Sequence, residues 1–149
     1  VLTYRREQIA FAKEHGYVQS VFGRRRYLPY INDSDESRRH AAEREGVNMP
    51  IQSAASDTLL VALCIIDKMM KDEGYKSLMV NTVHDSVMFD VYPGELYKLC
   101  ALVREVMVNV RDYVGMMSNN VDMSWLNVPL GADIEVGHHY GSLHEYSKE

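Results

Sequence analysis

Two cysteines in 149 residues are too few for a disulfide framework. Cys64 and Cys100 each fall in an apolar helical stretch, which reads as two buried free thiols and a reducing compartment. No continuous apolar run matches a bilayer span: the longest, "LLVALCII", covers only residues 59–66. There is no signal-peptide pattern, no internal repeat and no low-complexity segment. Positive charge is not in excess either; the net charge is -5, which argues against a protein that coats nucleic acid indiscriminately. These absences point to a cytoplasmic protein with no membrane partner. The chain begins with Val rather than Met, as a piece of something longer would.

What is present is a hydrophobic content of 46% with a quarter of the residues charged, enough for one ordinary domain with a core. Ten tyrosines and nine methionines suit interfaces, base stacking or a core, and do not decide among them. The charge is unevenly placed. Residues 1–50 hold nine Lys and Arg against seven Asp and Glu; residues 51–149 hold seven against fourteen. The basic part is concentrated in "GRRRYLP" and "SRRHAAER", where a polyanion would dock unless the charges are merely a solvated face.

Pattern and punctuation give the elements. "TYRREQIAFAKEHG" reads as a helix capped by Thr3 and ended by Gly16. "YVQSVFGRRRYLP" reads as two short strands around Gly23, closed by Pro29. After a polar loop, "ESRRHAAEREGVN" reads as a second helix limited by Pro50. A long helix then runs from Ile51 to Glu73, with Ala54, Ala55, Thr58, Leu59, Ala62, Leu63 and Ile66 on its core stripe, and Gly74 ends it. "YKSLMVNTV" and "VMFDVY" alternate as strands, with Leu78, Val80 and Thr82 opposed to Met79, Asn81 and Val83. His84, Asp85 and Ser86 form the turn. Pro93 starts the next helix, "VPLGADIEVG" is a last strand, and the tail is irregular. The order is α+β, with an antiparallel sheet and helices packed on one face.

The reactive pair sits at the hairpin tip. Asp85 there can reach a hard cation such as Mg2+, which takes one or two protein carboxylates beside water and phosphate oxygens. It can equally be a plain turn residue. His84 suits an acid, a base or a ligand. A helical His-Asp phosphohydrolase would need further ligands, and no second such pair or HxxxH spacing occurs. His138 and His139 have no ligand spacing. Arg24, Arg25 and Arg26 follow a turn glycine and cannot all face one way, so at least one should reach a carboxylate or a phosphate. Arg44, Asn48 and Gln52 recur every four residues, with Pro50 expected to break their face.

"GYVQSVFGRRRYLP", "RRHAAEREGVNMPIQSAASD", "VHDSVMFDV" and "VPLGADIEVG" occur in the order found in the C-terminal part of family A DNA polymerases, the polymerase I type common in phages. The sequence resembles that family from about Tyr4 to Tyr146. The resemblance implies that residues 1–149 are a palm subdomain, built on a palm-type antiparallel sheet, with the adjoining end of the fingers. It implies part of a DNA-directed DNA polymerase working by a two-metal mechanism. Asp85 would be one of two aspartates on two Mg2+ ions, and His84 would position the primer end. Arg44, Asn48 and Gln52 would contact primer–template; Arg24, Arg25 and Arg26 are DNA-binding candidates as well, with a structural or fingers-anchoring role that the resemblance implies. Two departures stand out. Ser86 replaces the glutamate that usually follows the pair. Motif A, the nucleotide-binding helix, the thumb and any exonuclease lie outside this sequence. The expectation is a nucleotidyltransferase part inactive alone. Its partners would be primer–template DNA, dNTP and an N-terminal polymerase portion; isolated, it would need an obligate partner, self-associate as a dimer or be marginally stable. The alternative is a non-catalytic DNA- or partner-binding fragment.

Overall fold

The computed structural model describes residues 2–117 and 121–146. The chain divides into two compact units, Val1–Asp57 and Thr58–Glu149.

In the first unit, α1 runs from Leu2 to His15, so Thr3 lies inside the helix rather than capping it. Gly16 ends the helix as expected. It takes φ +75 and donates its N–H to the Ala12 carbonyl at 2.8 Å, an exit that costs glycine no Cβ clash. β1 (Tyr17–Gln19) and β2 (Arg25–Tyr27) pair antiparallel, Tyr17 opposite Tyr27, around a turn in which Gly23 also has positive φ. Asp35 starts the next helix, its carboxylate accepting the N–H groups of Ser37 and Arg38.

That helix, α2, runs unbroken from Glu36 to Asp72 with Pro50 inside it. The expected boundary at Pro50 does not exist. Proline removes one intrahelical hydrogen bond and crowds the carbonyl four residues back, at a cost of about 3 kcal/mol. Here strong helical patterning on both sides carries the helix through. The core of the unit is Ala12, Val18, Leu28, Ile31 and Ala42, with Met49 against it. Gly46 lets these elements close on α2: a Cβ there would sit 3.0 Å from Leu28 Cδ1 and 3.6 Å from Val18 Cγ1.

In the second unit the last part of α2 buries Ala62, Leu63, Ile65, Ile66 and Met70. Cys100 is buried, but Cys64 is exposed, which corrects its reading as a core thiol. It lies two residues from both Ala62 and Ile66, a half-turn away from their face, in the same row as exposed Leu60. An 18-residue stretch of α2 has mean hydropathy 1.6, long and apolar enough to cross a membrane by length and composition. Counting only unbroken apolar residues missed it. A third of that stretch is buried within the chain, and core helices meet the same test.

β3 (Leu78–Val83) and β4 (Ser86–Asp90) pair antiparallel. The register runs Leu78↔Asp90, Met79↔Phe89, Asn81↔Met88, Thr82↔Val87 and Val83↔Ser86, leaving Val80 as a bulge. The extra residue breaks simple alternation. Asn81 and Val83 share the Leu78 face, and Thr82 moves to the Met79 face. The former face is the more exposed: Leu78 is 61% and Val80 56% accessible, whereas Met79, Val87 and Phe89 are half-buried.

The helix expected from Pro93 begins instead at Leu96, because Glu95 is engaged at the base of the hairpin. α3 (Leu96–Val108) buries Leu99, Cys100 and Val106. It stops at Asn109, whose backbone is not helical, before the short α4 (Val110–Tyr113) and a 3-10 turn over Val114–Met116. Of the last expected strand only β5 (Glu135–Val136) forms. It pairs with β6 (His144–Glu145) in the tail that read as irregular, after a 3-10 turn over Tyr140–Ser142. The fold is α+β with antiparallel pairing throughout, distributed over three two-stranded sheets among the described residues.

Candidate functional site

Arg24 ends the turn that joins β1 to β2, and Arg25 and Arg26 are the first residues of β2. The turn is pinned by its own polar groups: Ser20 Oγ accepts the Arg24 N–H at 3.1 Å, and the Gly23 N–H donates to the Ser20 carbonyl. The three side chains diverge, as their succession requires. Arg24 Nη2 meets Asp57 Oδ1 at 2.9 Å. Arg25 lies over the Tyr17 ring, 4.7 Å from its centre, a cation–π contact. Arg26 is ion-paired with Glu45.

Because α2 is continuous through Pro50, Asn48 and Gln52 share one face of it. Together with the three arginines, Glu45, Met49, Ser53 and Ser56 they line an open groove of about 550 Å³. Five of the six residues expected to touch DNA thus converge on one concave surface. Arg44 is exposed on the same helix one turn earlier and does not line the groove. The groove sets guanidinium groups beside side-chain amides, groups able to meet phosphate oxygens and base-edge acceptors.

His84 and Asp85 lie in the second unit, as the two residues of the β3–β4 turn; Ser86 already belongs to β4. His84 has φ 56, the one non-glycine with positive φ among the described residues. Left-handed backbone disfavours a side chain by about 1–2 kcal/mol. Here the two-residue hairpin demands it at the first turn position. Both side chains are exposed. Ser86 Oγ donates to the Val83 carbonyl at 2.9 Å and so closes the turn instead of adding a carboxylate. Among the described residues no group of three or more His, Cys, Asp and Glu is placed to hold a metal ion. Asp85 alone does not make a two-ion site. His138 and His139 are exposed in the tail.

The base of the same hairpin is strapped. The Glu95 carboxylate accepts the N–H groups of Lys76 and Ser77 and, at 2.6 Å, the Ser77 hydroxyl. Ser77 Oγ in turn accepts the Tyr92 N–H at 2.9 Å. The Ser77 hydroxyl, then the Lys76 N–H, hold the Glu95 carboxyl below its ordinary range. One buried serine and one carboxylate therefore tie the strand before the turn to the segment after it.

A protein-family model described as DNA polymerase family A matches residues 1–142. The chain belongs to DNA polymerase family A. It is 41% identical over 107 residues to DNA polymerase I of Mycobacterium tuberculosis, covering 72% of this chain and 12% of that protein. It is 32% identical over 137 residues to the DNA polymerase of Bacillus phage SP01, covering 92% of this chain and 14% of that one. Among solved structures it is similar to the POL domain of Pol1 from M. smegmatis in complex with DNA primer-template and dNTP. That match has a TM-score of 0.67 and 43% identity, over 72% of this chain and 19% of that one. The chain spans about an eighth of the length of the curated relatives it matches.

Three residues that hold these sites together were not singled out from the sequence. Glu45 and Asp57 bind groove arginines, and Glu95 straps the hairpin. The first was legible in principle. Glu45 stands three, four and seven residues before Asn48, Met49 and Gln52, which is helical spacing once Pro50 is allowed inside the helix.

Proposed function

We propose that this chain is the portion of a DNA-directed DNA polymerase that contacts primer–template DNA and presents one metal-binding aspartate to the nucleotidyl-transfer site. In that reading residues 1–149 are the palm subdomain with the adjoining end of the fingers. The observation that carries it is the convergence of Arg24, Arg25, Arg26, Asn48 and Gln52 on one groove in a chain of this family. Asn48 and Gln52 suit the minor-groove edge of a base pair, where acceptors vary little among pairs, so geometry can be checked without reading sequence. Arg44 adds a phosphate contact on the same helix.

Mg2+ would supply Lewis-acid stabilisation of the transferring phosphate. Asp85 offers it one oxygen ligand from an exposed turn, and His84 holds the primer end beside it. The remaining ligands come from an N-terminal polymerase portion carrying motif A, so the isolated chain does not polymerise DNA. The test is dNTP incorporation on a primed template. We expect none from the chain alone, incorporation on adding the N-terminal portion, and its loss in Asp85→Asn. Incorporation by the chain alone, or by the completed Asp85→Asn enzyme at the unmodified rate, would overturn the assignment.

A non-catalytic DNA-binding fragment is the second reading. It is favoured by the lack of a metal-holding cluster among the described residues. It expects primer–template binding without incorporation even when the N-terminal portion is added.

A further inference from the structure

The groove has three arginines but far less than three positive charges to offer. Arg24 is matched by Asp57, whose side chain is 12% accessible and whose Oδ2 is buried with no hydrogen-bond partner. Pulling Arg24 away would strand a largely buried carboxylate, a change that is strongly disfavoured, so this pair stays closed. Arg26 is matched by Glu45, and that pair is different in kind. The Glu45 side chain is 38% accessible and that of Arg26 57%, both at the groove wall. Arg25 has an aromatic ring for a partner and, among the described residues, no carboxylate. Among the described residues, Arg25 is therefore the one groove cation without a carboxylate beside it.

We infer that Glu45 sets the groove's affinity for polyanions by neutralising Arg26, so that the chain grips a nucleic-acid backbone with one charge fewer than its arginines would allow. This rests on the nucleic-acid reading above. When a phosphate approaches, Arg26 must either keep Glu45 and ignore the phosphate, or turn to the phosphate and leave a carboxylate facing it. In both cases the net gain from the pair is close to zero. A weak, easily released grip suits a surface past which a duplex must move after each addition.

The test is binding of a fluorescently labelled primer–template duplex to the chain between 50 and 200 mM salt, comparing the unmodified chain with Glu45→Gln, Arg26→Gln and the double variant. Gln is a good helix former at Glu45 on α2, Arg26 is exposed on β2, and far-UV circular dichroism checks each fold. Each newly neutralised phosphate steepens the log–log salt slope by about 0.9, or roughly a 3.5-fold greater loss of affinity over that range. The expected result is tighter and steeper binding for Glu45→Gln, weaker binding for Arg26→Gln, and a double variant close to the unmodified chain. Glu45→Asp, which keeps the charge, should keep the original slope. If the chain binds and Arg26→Gln weakens it while Glu45→Gln changes nothing or weakens it too, the inference fails and the nucleic-acid reading stands. If neither the unmodified chain nor Glu45→Gln shows salt-dependent binding, both fail together.

Discussion

Replacing Ser77 by alanine removes one hydroxyl and loosens the base of the hairpin that carries His84 and Asp85. The hydroxyl is 3% accessible as part of its residue, donates to Glu95 and accepts from the Tyr92 N–H. Each ordinary hydrogen bond contributes about 1 kcal/mol net, and an abandoned part-buried donor adds about 1 kcal/mol more. Alanine fits the space, so no cavity worth counting is left. The expected cost is about 2–3 kcal/mol, read as a lower urea midpoint at unchanged slope by tyrosine and Trp125 fluorescence. The pH dependence gives a second reading of the same bond. Glu95 has a folded-state pKa below its unfolded value, mainly because of the Ser77 hydroxyl. The stability it contributes is therefore complete above the ordinary carboxylate range and is lost as pH falls through the lower, folded-state value. Ser77→Ala should shrink that acid loss, because the largest cause of the depression is gone. A variant within about 0.5 kcal/mol of the unmodified chain at neutral pH, with the same acid-limb slope, would refute the strap.

Two other substitutions probe the elements on which the site stands. Gly46→Val should destabilise the first unit by about 1–3 kcal/mol, since even a Cβ meets Leu28 at 3.0 Å and two further methyls overfill the contact; the measurement is a thermal melt, and unchanged stability would mean that the helix and the Leu28 segment part easily. His84→Gly should raise hairpin stability by about 1 kcal/mol by removing left-handed strain; hydrogen exchange of the β3 and β4 amides reads this, while incorporation by the completed polymerase should fall if the imidazole holds the primer end.

Much of the architecture was legible because its signals are local. Gly16, Gly23 and Gly74 mark three chain reversals, all at positive φ. The alternation on either side of His84 and Asp85 placed the hairpin and its turn. The failures share a cause: packing overrode a local rule. Pro50 is a helix stop by itself, yet the helix is held on both sides of it. Val80 looks like one more alternating residue, and only the pairing with β4 reveals it as a bulge. The apolar neighbours of Cys64 suggest burial, but the helical face, two residues off the core stripe, decides its exposure. At the candidate site the arginines were visible as a cluster. Their carboxylate partners were less so: Glu45 joins the helical spacing only once Pro50 is allowed inside the helix, and Asp57 comes close to Arg24 only through folding.

The bulge at Val80 also gives the hairpin slack. β3 reaches the turn with one residue more than β4 matches, and the surplus is stored at one point. Removing Val80 would flatten the ladder yet leave Asn81, Thr82 and Val83 opposite Met88, Val87 and Ser86, with the turn in step. Removing Thr82 instead keeps His84 and Asp85 in step only if the bulge closes, which brings Val80 opposite Met88 and Asn81 opposite Val87 and turns Asn81 to the other face. The hairpin thus has one position where the count of residues can change without any other pair being exchanged.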